Sequence, residues 1–493
     1  MKSNLFEELQ SYCQSDFYPF HMPGHKRNID IQNLPEFYQY DITEIDGFDN
    51  LHQPEGIIDD AQKRAAKLYG SEETYFLVNG STAGILSAVS AISEQGGTIL
   101  IARNCHKSVY HAAFLNRLKI EYIYPEMIRE YDIAGKISEQ EVQNKIESIL
   151  LENKTKIVGV VITSPTYDGI SSNVANITEI VHSYGIPLIV DQAHGAHFGF
   201  HPDYPKNAVS MGVDIVIHSV HKTLPAPTQT AIIHKNGNLV DSEKLRRYLH
   251  IYQTSSPSYP LMAGIDTAIN ILEKEGYEKL AKLSNYSKLI KQTAENLKYL
   301  EICPLTEPGK VIISAKNYCL TGQKLYSIFR DKYHLQMEMA AGSYVTAILS
   351  IMDKEEGIFR LIKAIEEIDQ MVPEISDGDC VERKKELSFS DVLFPRKSME
   401  LWEAYISPCE EVELSVPADS ITLLGNKSPY VAAEFINIYP PGIPIIVPGE
   451  ILDEDILQII SEYLKNGYNV QGIENNKIKV VRLPKEGEHY EKN

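Results

Sequence analysis

Residues 214–234, DIVIHSVHKTLPAPTQTAIIH, place a lysine where a folded core has little use for one. The apolar residues 215–217 and 220 read as a buried strand, followed by Ser219-Val220-His221-Lys222. A turn broken by prolines and a second apolar run ending at His234 come next. Burial disfavours the charged form of an amine and lowers its pKa, and an uncharged amine can act as a nucleophile near neutral pH. A lone lysine at a strand end more often snorkels to water, so the reading turns on what surrounds it.

Upstream, GIPLIVDQAHGAHFGF (185–200) contains a short apolar strand, Ile186 to Val190, that ends on Asp191. In an open α/β sheet, ligands bind at the carboxyl ends of strands. A strand-end aspartate followed by a second strand-turn bearing Ser219, His221 and Lys222 is what a pyridoxal phosphate enzyme needs. The lysine holds the cofactor aldehyde, and the aspartate keeps the pyridine nitrogen protonated so that the ring accepts electrons. Ser219 and His221 flank the lysine and are placed to hydrogen-bond a phosphate.

Two earlier stretches repeat a strand-turn-helix plan. In TYFLVNGSTAGILSAVSAIS (74–93), small residues at the turn let backbone N–H groups approach a phosphate at the helix N-terminus, and Ser81 and Thr82 add hydroxyls. A simple Ser/Thr helix cap has the same appearance, and its position before Asp191 and Lys222 favours the phosphate. In TILIARNCHKSVYHAAF (98–114), His106 stands where turn meets helix, able to present a flat ring to a cofactor; the competing reading is a capping histidine. IVGVVITSPTYDG (157–169) supplies another buried strand. Strands alternating with helices from about 74 to 235 predict a doubly wound, mainly parallel sheet with helices on both faces.

The 493 residues exceed one ordinary core, and 43% hydrophobic with 23% charged residues describe a folded chain. Lysine and arginine number 47 against 67 acidic residues, a formal net charge of −20, which argues against a nucleic-acid partner and is compatible with a cationic substrate. The six cysteines have no CxxC pair or framework spacing and read as free thiols in a reducing compartment. With neither a signal-peptide pattern nor a membrane-length apolar run, a cytoplasmic enzyme is expected. The expected organisation is an N-terminal arm and acidic segment (1–56), a cofactor-binding major domain (57–300), a small α+β domain (301–372) and a C-terminal domain (373–493). The acidic stretch 41–56 is expected as a polar loop, residues 266–300 as a long helix, and 373–386 as linker.

Together SVHKTLPAPTQT, DQAHGAH, NGSTAG, NCHKS, HMPGHK and YPPGIPIIVPGE resemble the bacterial ornithine/lysine/arginine decarboxylases of the aspartate-aminotransferase-like fold (fold type I), over nearly the whole chain. The resemblance implies that Lys222 is the Schiff-base lysine and Asp191 the pyridinium partner. His106 would stack on the ring, Ser81, Thr82, Ser219 and His221 would hold the phosphate, and His194 would sit beside the pyridoxal hydroxyl. Thr254, or its neighbour Ser255, would reach the phosphate of a partner subunit, making a homodimer or higher homo-oligomer with shared sites. The chain starts almost directly at the HMPGHK segment, without the wing domain of larger members, and so looks like the short, biosynthetic arginine decarboxylase form. Where the family often carries an acidic residue after the QMEMA-like strand, this chain has Ala341.

The expected reaction is loss of the α-carboxyl group of a basic L-amino acid as carbon dioxide, with Lys222 or His221 returning a proton to Cα. Arginine is favoured from the DNLHQPEG stretch, with lysine and ornithine next, and the product is the corresponding di- or polyamine. Transamination or aldol cleavage on the same cofactor is the alternative. A metal hydrolase built on Asp191, His194 and His197, or a non-catalytic scaffold on this fold, are the readings from other classes.

Overall fold

The computed structural model describes residues 4–23, 25–27, 35–152, 155–318, 320–375, 394–415, 422–423, 430–438 and 442–482. Its centre is a seven-stranded sheet. The strands are β1 (Glu73–Leu77), β2 (Thr98–Ala102), β3 (Lys119–Ile123), β6 (Ile157–Thr163), β7 (Leu188–Asp191), β8 (Ile215–His218) and β9 (Ala231–Lys235), and a small hairpin, β4 (Met127–Ile128) and β5 (Ile133–Ala134), branches off after β3. The order is β1-β9-β8-β7-β6-β2-β3. Every pair from β8 to β3 is parallel, while β9 runs antiparallel to both β8 and β1. Two reversals cancel, so β1 is parallel to β8 and its carboxyl end lies on the same edge as those of β2, β6, β7 and β8.

Residues of β2, β7, β8 and β9 are buried without alternation, as a sheet covered on both faces requires. On β1 and β9 neighbouring residues separate: Phe76 and Ile232 join one apolar cluster, while Leu77, Ala231 and Ile233 join another. Helix α2 (Ile57–Tyr69) and helix α9 (Tyr259–Thr293) contribute to the first cluster, and helices α3 (Gly80–Ile92), α4 (Lys107–Leu115), α5 (Glu139–Leu151), α6 (Val174–Ser183) and α8 (Ser242–Tyr252) to the second. Against the expected 266–300, α9 starts seven residues earlier because Pro260 sits in its first turn, where a missing N–H costs nothing.

The N-terminal segment corrects the sequence reading. Helix α1 (Leu5–Cys13), capped by Asn4 with Glu7 reciprocating, buries Leu5 and Leu9 in the first cluster. The acidic stretch expected as a polar loop buries Ile42, Phe48 and Leu51 there too. Three apolar residues spaced without a regular period give no pattern to read, yet each is worth roughly 1.5–3 kcal/mol of burial. Asp49 organises the stretch, its carboxylate accepting from the N–H groups of Glu55, Gly56, Ile58 and Asp59 at the start of α2. Asp266, almost inaccessible, joins α1, α2 and α9 by accepting from Leu5 N–H at 2.9 Å and from Arg64 at 2.7 Å.

The small unit is a four-stranded antiparallel sheet, β10 (Glu301–Ile302), β11 (Lys310–Ser314), β12 (Met339–Ala341) and β13 (Tyr344–Ile348), in the order β10-β11-β13-β12. Helices Gly322–Tyr333 and Glu355–Ile375 accompany it, the second continuing through Pro373 into the expected linker, of which 376–386 lie outside the described residues. The C-terminal unit carries small antiparallel sheets and the helix Glu454–Lys465 around its own apolar cluster. Among the described residues no helix is long and apolar enough to cross a membrane.

One buried ion pair fastens the C-terminal unit to the large sheet. Arg103, just past β2, meets Glu450 through two 2.9 Å hydrogen bonds, and both side chains are excluded from water. The guanidinium also donates to the carbonyls of Pro444 and Ile445 at 2.9 Å. Breaking a buried pair by removing one partner leaves an uncompensated charge and costs about 3–5 kcal/mol. Glu450→Gln should therefore lower the urea midpoint of unfolding markedly, and Arg103→Met combined with Glu450→Gln should recover most of the loss; an unchanged midpoint in the single variant would show that the pair does not hold the unit.

Candidate active site

Gly80 turns the chain from β1 into α3 with φ of +74°, a conformation that side chains disfavour, and its N–H donates to Gln229 O at 2.9 Å. That bond ties the start of α3 to the loop following Lys222. Ser219 Oγ donates to Ser81 Oγ at 2.9 Å, closing the same junction. No side chain caps α3 at Asn79, so the N–H groups that follow Gly80 in its first turn remain available beside the two serines, with Thr82 exposed on the same turn. Free N–H groups, hydroxyls and a helix dipole together suit an anion such as phosphate.

Lys222 does not lie on a strand turn as expected but in the single helical turn α7 (Val220–Thr223) directly after β8. Below it runs a buried row of polar side chains. Gln192 Oε1 accepts from Ala208 N–H at 3.1 Å, so it also accepts at 2.9 Å from the Nε2–H of His218. His218 Nδ1 then accepts from His234 Nε2–H at 3.1 Å, and His234 Nδ1 accepts from Thr74 at 2.7 Å. Burial holds both histidines neutral, so each ring satisfies one donor and one acceptor and the floor beneath Lys222 is fixed.

At the end of β7, Asp191 is buried, and its Oδ1 accepts from Ala193 N–H at 3.1 Å. Among the described residues this is its one protein hydrogen bond, leaving Oδ2 for a further donor. Burial pushes its pKa up, opposed by the nearby Lys222 cation. Burial also pulls Lys222 down, with Asp191 and Glu338 opposing. His194 lies 3.1 Å from Lys222 Nζ, and burial and then the cations of Lys222 and Lys310 hold it far below the usual histidine range. His106 caps α4, its Nδ1 accepting from Ser108 N–H at 3.2 Å; burial, and next Lys222, bring it down to about 4. The ring is therefore neutral, both a cap and a wall of the crevice. His221 Nδ1 donates to Thr230 O at 2.9 Å, and burial lowers its pKa as well.

Lys222, Asp191, His194, His106, Ser219, Ser81 and His221 thus gather at one carboxyl edge. Thr254 and Ser255 stand outside that group, exposed, with the Thr254 N–H donating to Asn79 Oδ1 at 3.1 Å and its carbonyl accepting from His52 at 2.8 Å. His197 turns toward Glu307, 3.3 Å away, while His194 lies between lysines, so the Asp191, His194 and His197 trio does not converge. Among the described residues no group of three or more His, Cys, Asp or Glu side chains is placed to hold a metal. Of the quoted motifs, Gly24 and residues 439–441 lie outside the described residues.

The sequence reading missed Lys310, Tyr167 and Glu338. Lys310 is fully buried at the head of β11, with Nζ 2.9 Å from His194 Nδ1 and 5.2 Å from the centre of the Tyr167 ring. Tyr167 donates to Glu338 and meets His194 edge-on at 4.7 Å between ring centres. The available signal was the one that singled out Lys222, a lysine adjoining an unbroken apolar run, here KVIIS.

Comparison with known proteins bears on this site. Residues 3–346 match the family model described as the Orn/Lys/Arg decarboxylase major domain, and residues 396–473 match that family's C-terminal domain. The chain is 31% identical to the arginine decarboxylase of Bacillus subtilis (strain 168) over 98% of both chains, and 29% identical to that of Bacillus anthracis over 98% of this chain and 97% of the other. Its fold matches the lysine decarboxylase LdcF of Francisella novicida with a TM-score of 0.82 at 21% identity, covering 97% of this chain and 81% of that one. A strand-end aspartate, a half-buried lysine one helical turn beyond the next strand and family models spanning both the large and the C-terminal units lead to one assignment: the chain belongs to the Orn/Lys/Arg decarboxylase family and is an amino-acid decarboxylase that uses pyridoxal 5'-phosphate.

Proposed function

We propose that this enzyme removes the α-carboxyl group of arginine in preference to lysine and ornithine, in the cytoplasm, yielding the corresponding amine for polyamine formation. The observation that carries the site is Lys222, an amine largely withdrawn from water, facing a buried carboxylate across a crevice that also holds an anion cradle. The preference for arginine rests on full-length likeness to proteins named arginine decarboxylase.

The residues present fit pyridoxal phosphate. The cofactor, when bound, supplies an aldehyde for amines and a protonated ring that accepts the electron pair left behind by carbon dioxide. Lys222 would hold the aldehyde carbon. Asp191, with an oxygen to spare, would keep a proton on the ring nitrogen, and its own raised pKa would fall as that cation arrives. His106 would lie flat against the ring, and His194 would stand at the ring hydroxyl. Ser81, Thr82, Ser219 and the N–H groups of α3 would hold the phosphate. His221 already spends Nδ1–H on Thr230, so it would donate to phosphate through Nε2 only after taking a second proton, which a neighbouring dianion favours. Lys222 or His221 would return a proton to Cα.

The working unit in this reading is a homodimer with sites shared between subunits. Phe17, Tyr18, Phe20 and Met22 expose 67–88% of their surface at and just before the start of the HMPGHK segment, and a cluster of that kind suits a protein interface. Thr254 and Ser255, exposed and tethered beside the start of α3 through Asn79, would serve the site of a neighbour.

Purified enzyme assayed on arginine, lysine and ornithine should release carbon dioxide and amine, with the highest kcat/KM for arginine. Keto-acid products would reject decarboxylation, and equal or better turnover of lysine or ornithine would reject the preference. Asp191→Asn should bind cofactor yet lose about 10²–10³-fold in kcat, as expected on removing an electrostatic partner of the transition state; a normal rate at normal cofactor content would count against its role. Mixing inactive Lys222→Ala subunits with an inactive Thr254→Val/Ser255→Ala variant should restore activity in tagged heterodimers, since one site of each would be wild type throughout. Verified heterodimers without activity would eliminate sharing.

A further inference from the structure

Asn79 stands at the N-cap of α3, where asparagine is among the most favourable residues, yet its side chain does not cap the helix. A capping oxygen accepts from the N–H two or three residues on, here Ser81 or Thr82. Asn79 Oδ1 accepts instead from Thr254 N–H, 3.1 Å away, in the loop between α8 and α9. The N–H groups it forgoes belong to the same first turn of α3 that carries the Ser81–Ser219 contact.

The loop that engages Asn79 is held from several sides. The Thr254 carbonyl accepts from His52 Nε2–H at 2.8 Å, and the His52 ring lies 4.4 Å from that of His250 in the last turn of α8. Gln253, which is buried, closes the outer edge of β1 and the residue after it. Its Oε1 accepts from Val78 N–H at 2.9 Å, and its Nε2 donates to Phe76 O at 3.4 Å. β1 ends the sheet on that side, so these bonds satisfy backbone groups that no further strand pairs. Residues 253 and 254 are thus fastened to residues 78 and 79, at the point where β1 gives way to α3.

The Asn79 side chain cannot reach out to Thr254 and fold back over the first turn of α3 at once, because the two directions need different rotamers. In the capping rotamer it would occupy the N–H of Ser81 or Thr82, a donor that an anion at this helix start needs. Drawn toward Thr254, it leaves both free.

We propose that Asn79 is a positioning residue that keeps the phosphate cradle open, and that Thr254 and His52 hold it in that state. Release of the loop lets Asn79 cap α3 and compete with the phosphate for the same donors. The clamp uses only backbone atoms of Thr254, and it connects the DNLHQPEG stretch, through His52, to the cradle. The inference rests on the reading of Ser81, Thr82 and the α3 N–H groups as the phosphate holders.

The enzyme, stripped of cofactor, is titrated with pyridoxal 5'-phosphate and with pyridoxal, which has the ring and aldehyde but no phosphate. The ratio of the two dissociation constants, compared across variants, isolates the cradle. Thr254→Pro removes the N–H that holds Asn79, and Thr254→Val, which keeps that N–H, controls for the lost hydroxyl. Relative to Thr254→Val, Thr254→Pro should weaken binding of the phosphate form about fivefold, the equivalent of one helix cap, with pyridoxal unchanged. Adding Asn79→Ala, a side chain that caps poorly, should recover that loss. If Thr254→Pro fails to fold, His52→Phe is compared with wild type, alone and with Asn79→Ala, and the same loss and recovery are expected. A phosphate preference that neither Thr254→Pro nor His52→Phe lowers against its control, or a loss that Asn79→Ala does not recover, overturns the proposal while leaving the cradle in place. A Ser81→Ala/Thr82→Ala variant that keeps the wild-type preference overturns the cradle assignment, and the proposal with it.

Discussion

Withdrawal from water is the constraint on which the crevice depends. Burial is the leading cause of the shifts at Asp191, Lys222, His194, His106, His221 and Lys310, raising the acid and lowering the bases. In bulk water each would sit near its ordinary value, with the lysines fully charged and the histidines partly charged near neutrality. A sheet whose central strands are buried without alternation makes this possible, because helices cover both faces and leave only the carboxyl edge open. With solvent unavailable to settle the polar atoms, the protein settles them itself. The Gln192, His218, His234 and Thr74 row does so below Lys222, and the Ser81–Ser219 contact does so beside it.

The crevice is also a seam. The large sheet supplies Lys222, Asp191 and His194, and the small sheet supplies Lys310 and Glu338, with Tyr167 and Asp168 on the loop after β6 bridging toward them. Tyr344 of β13 donates to Asp168 at 3.0 Å, and Glu307 N–H donates to Gly169 O at 3.0 Å. Burial lifts Asp168 to about 6, opposed by Tyr344 and Lys310, so this contact is itself sensitive to its surroundings. Movement of one unit against the other would alter the contacts of His194 with Lys222 and Lys310.

What the sequence could disclose follows from the range of each interaction. Asp191 and Lys222 were legible because each closes an apolar run, a signal contained within about ten residues. Lys310 carries the same local signal but lies 116 positions from His194, and a single sequence holds no measure of that proximity. Nor does it show that His197 turns away from His194 to meet Glu307. The burial of Ile42, Phe48 and Leu51 was hidden by the acidic residues around them, since composition averages over a stretch while packing selects individual side chains. The start of α9 was misplaced because the hydroxyl-rich residues 254–258 ahead of it mask the helical preference of Pro260 in a first turn.

The Arg103–Glu450 pair sits three residues from His106, and Lys107 N–H donates to Gly442 O at 3.2 Å, so the turn that presents His106 is gripped by the C-terminal unit. This bears on how such a chain can be inherited or recombined. A crossover between the two units that brought in a C-terminal segment lacking a carboxylate at the position of Glu450 would strand a guanidinium in a dry interior and loosen the turn beside the crevice. The two units can diverge in sequence, but they are exchangeable only as a matched set.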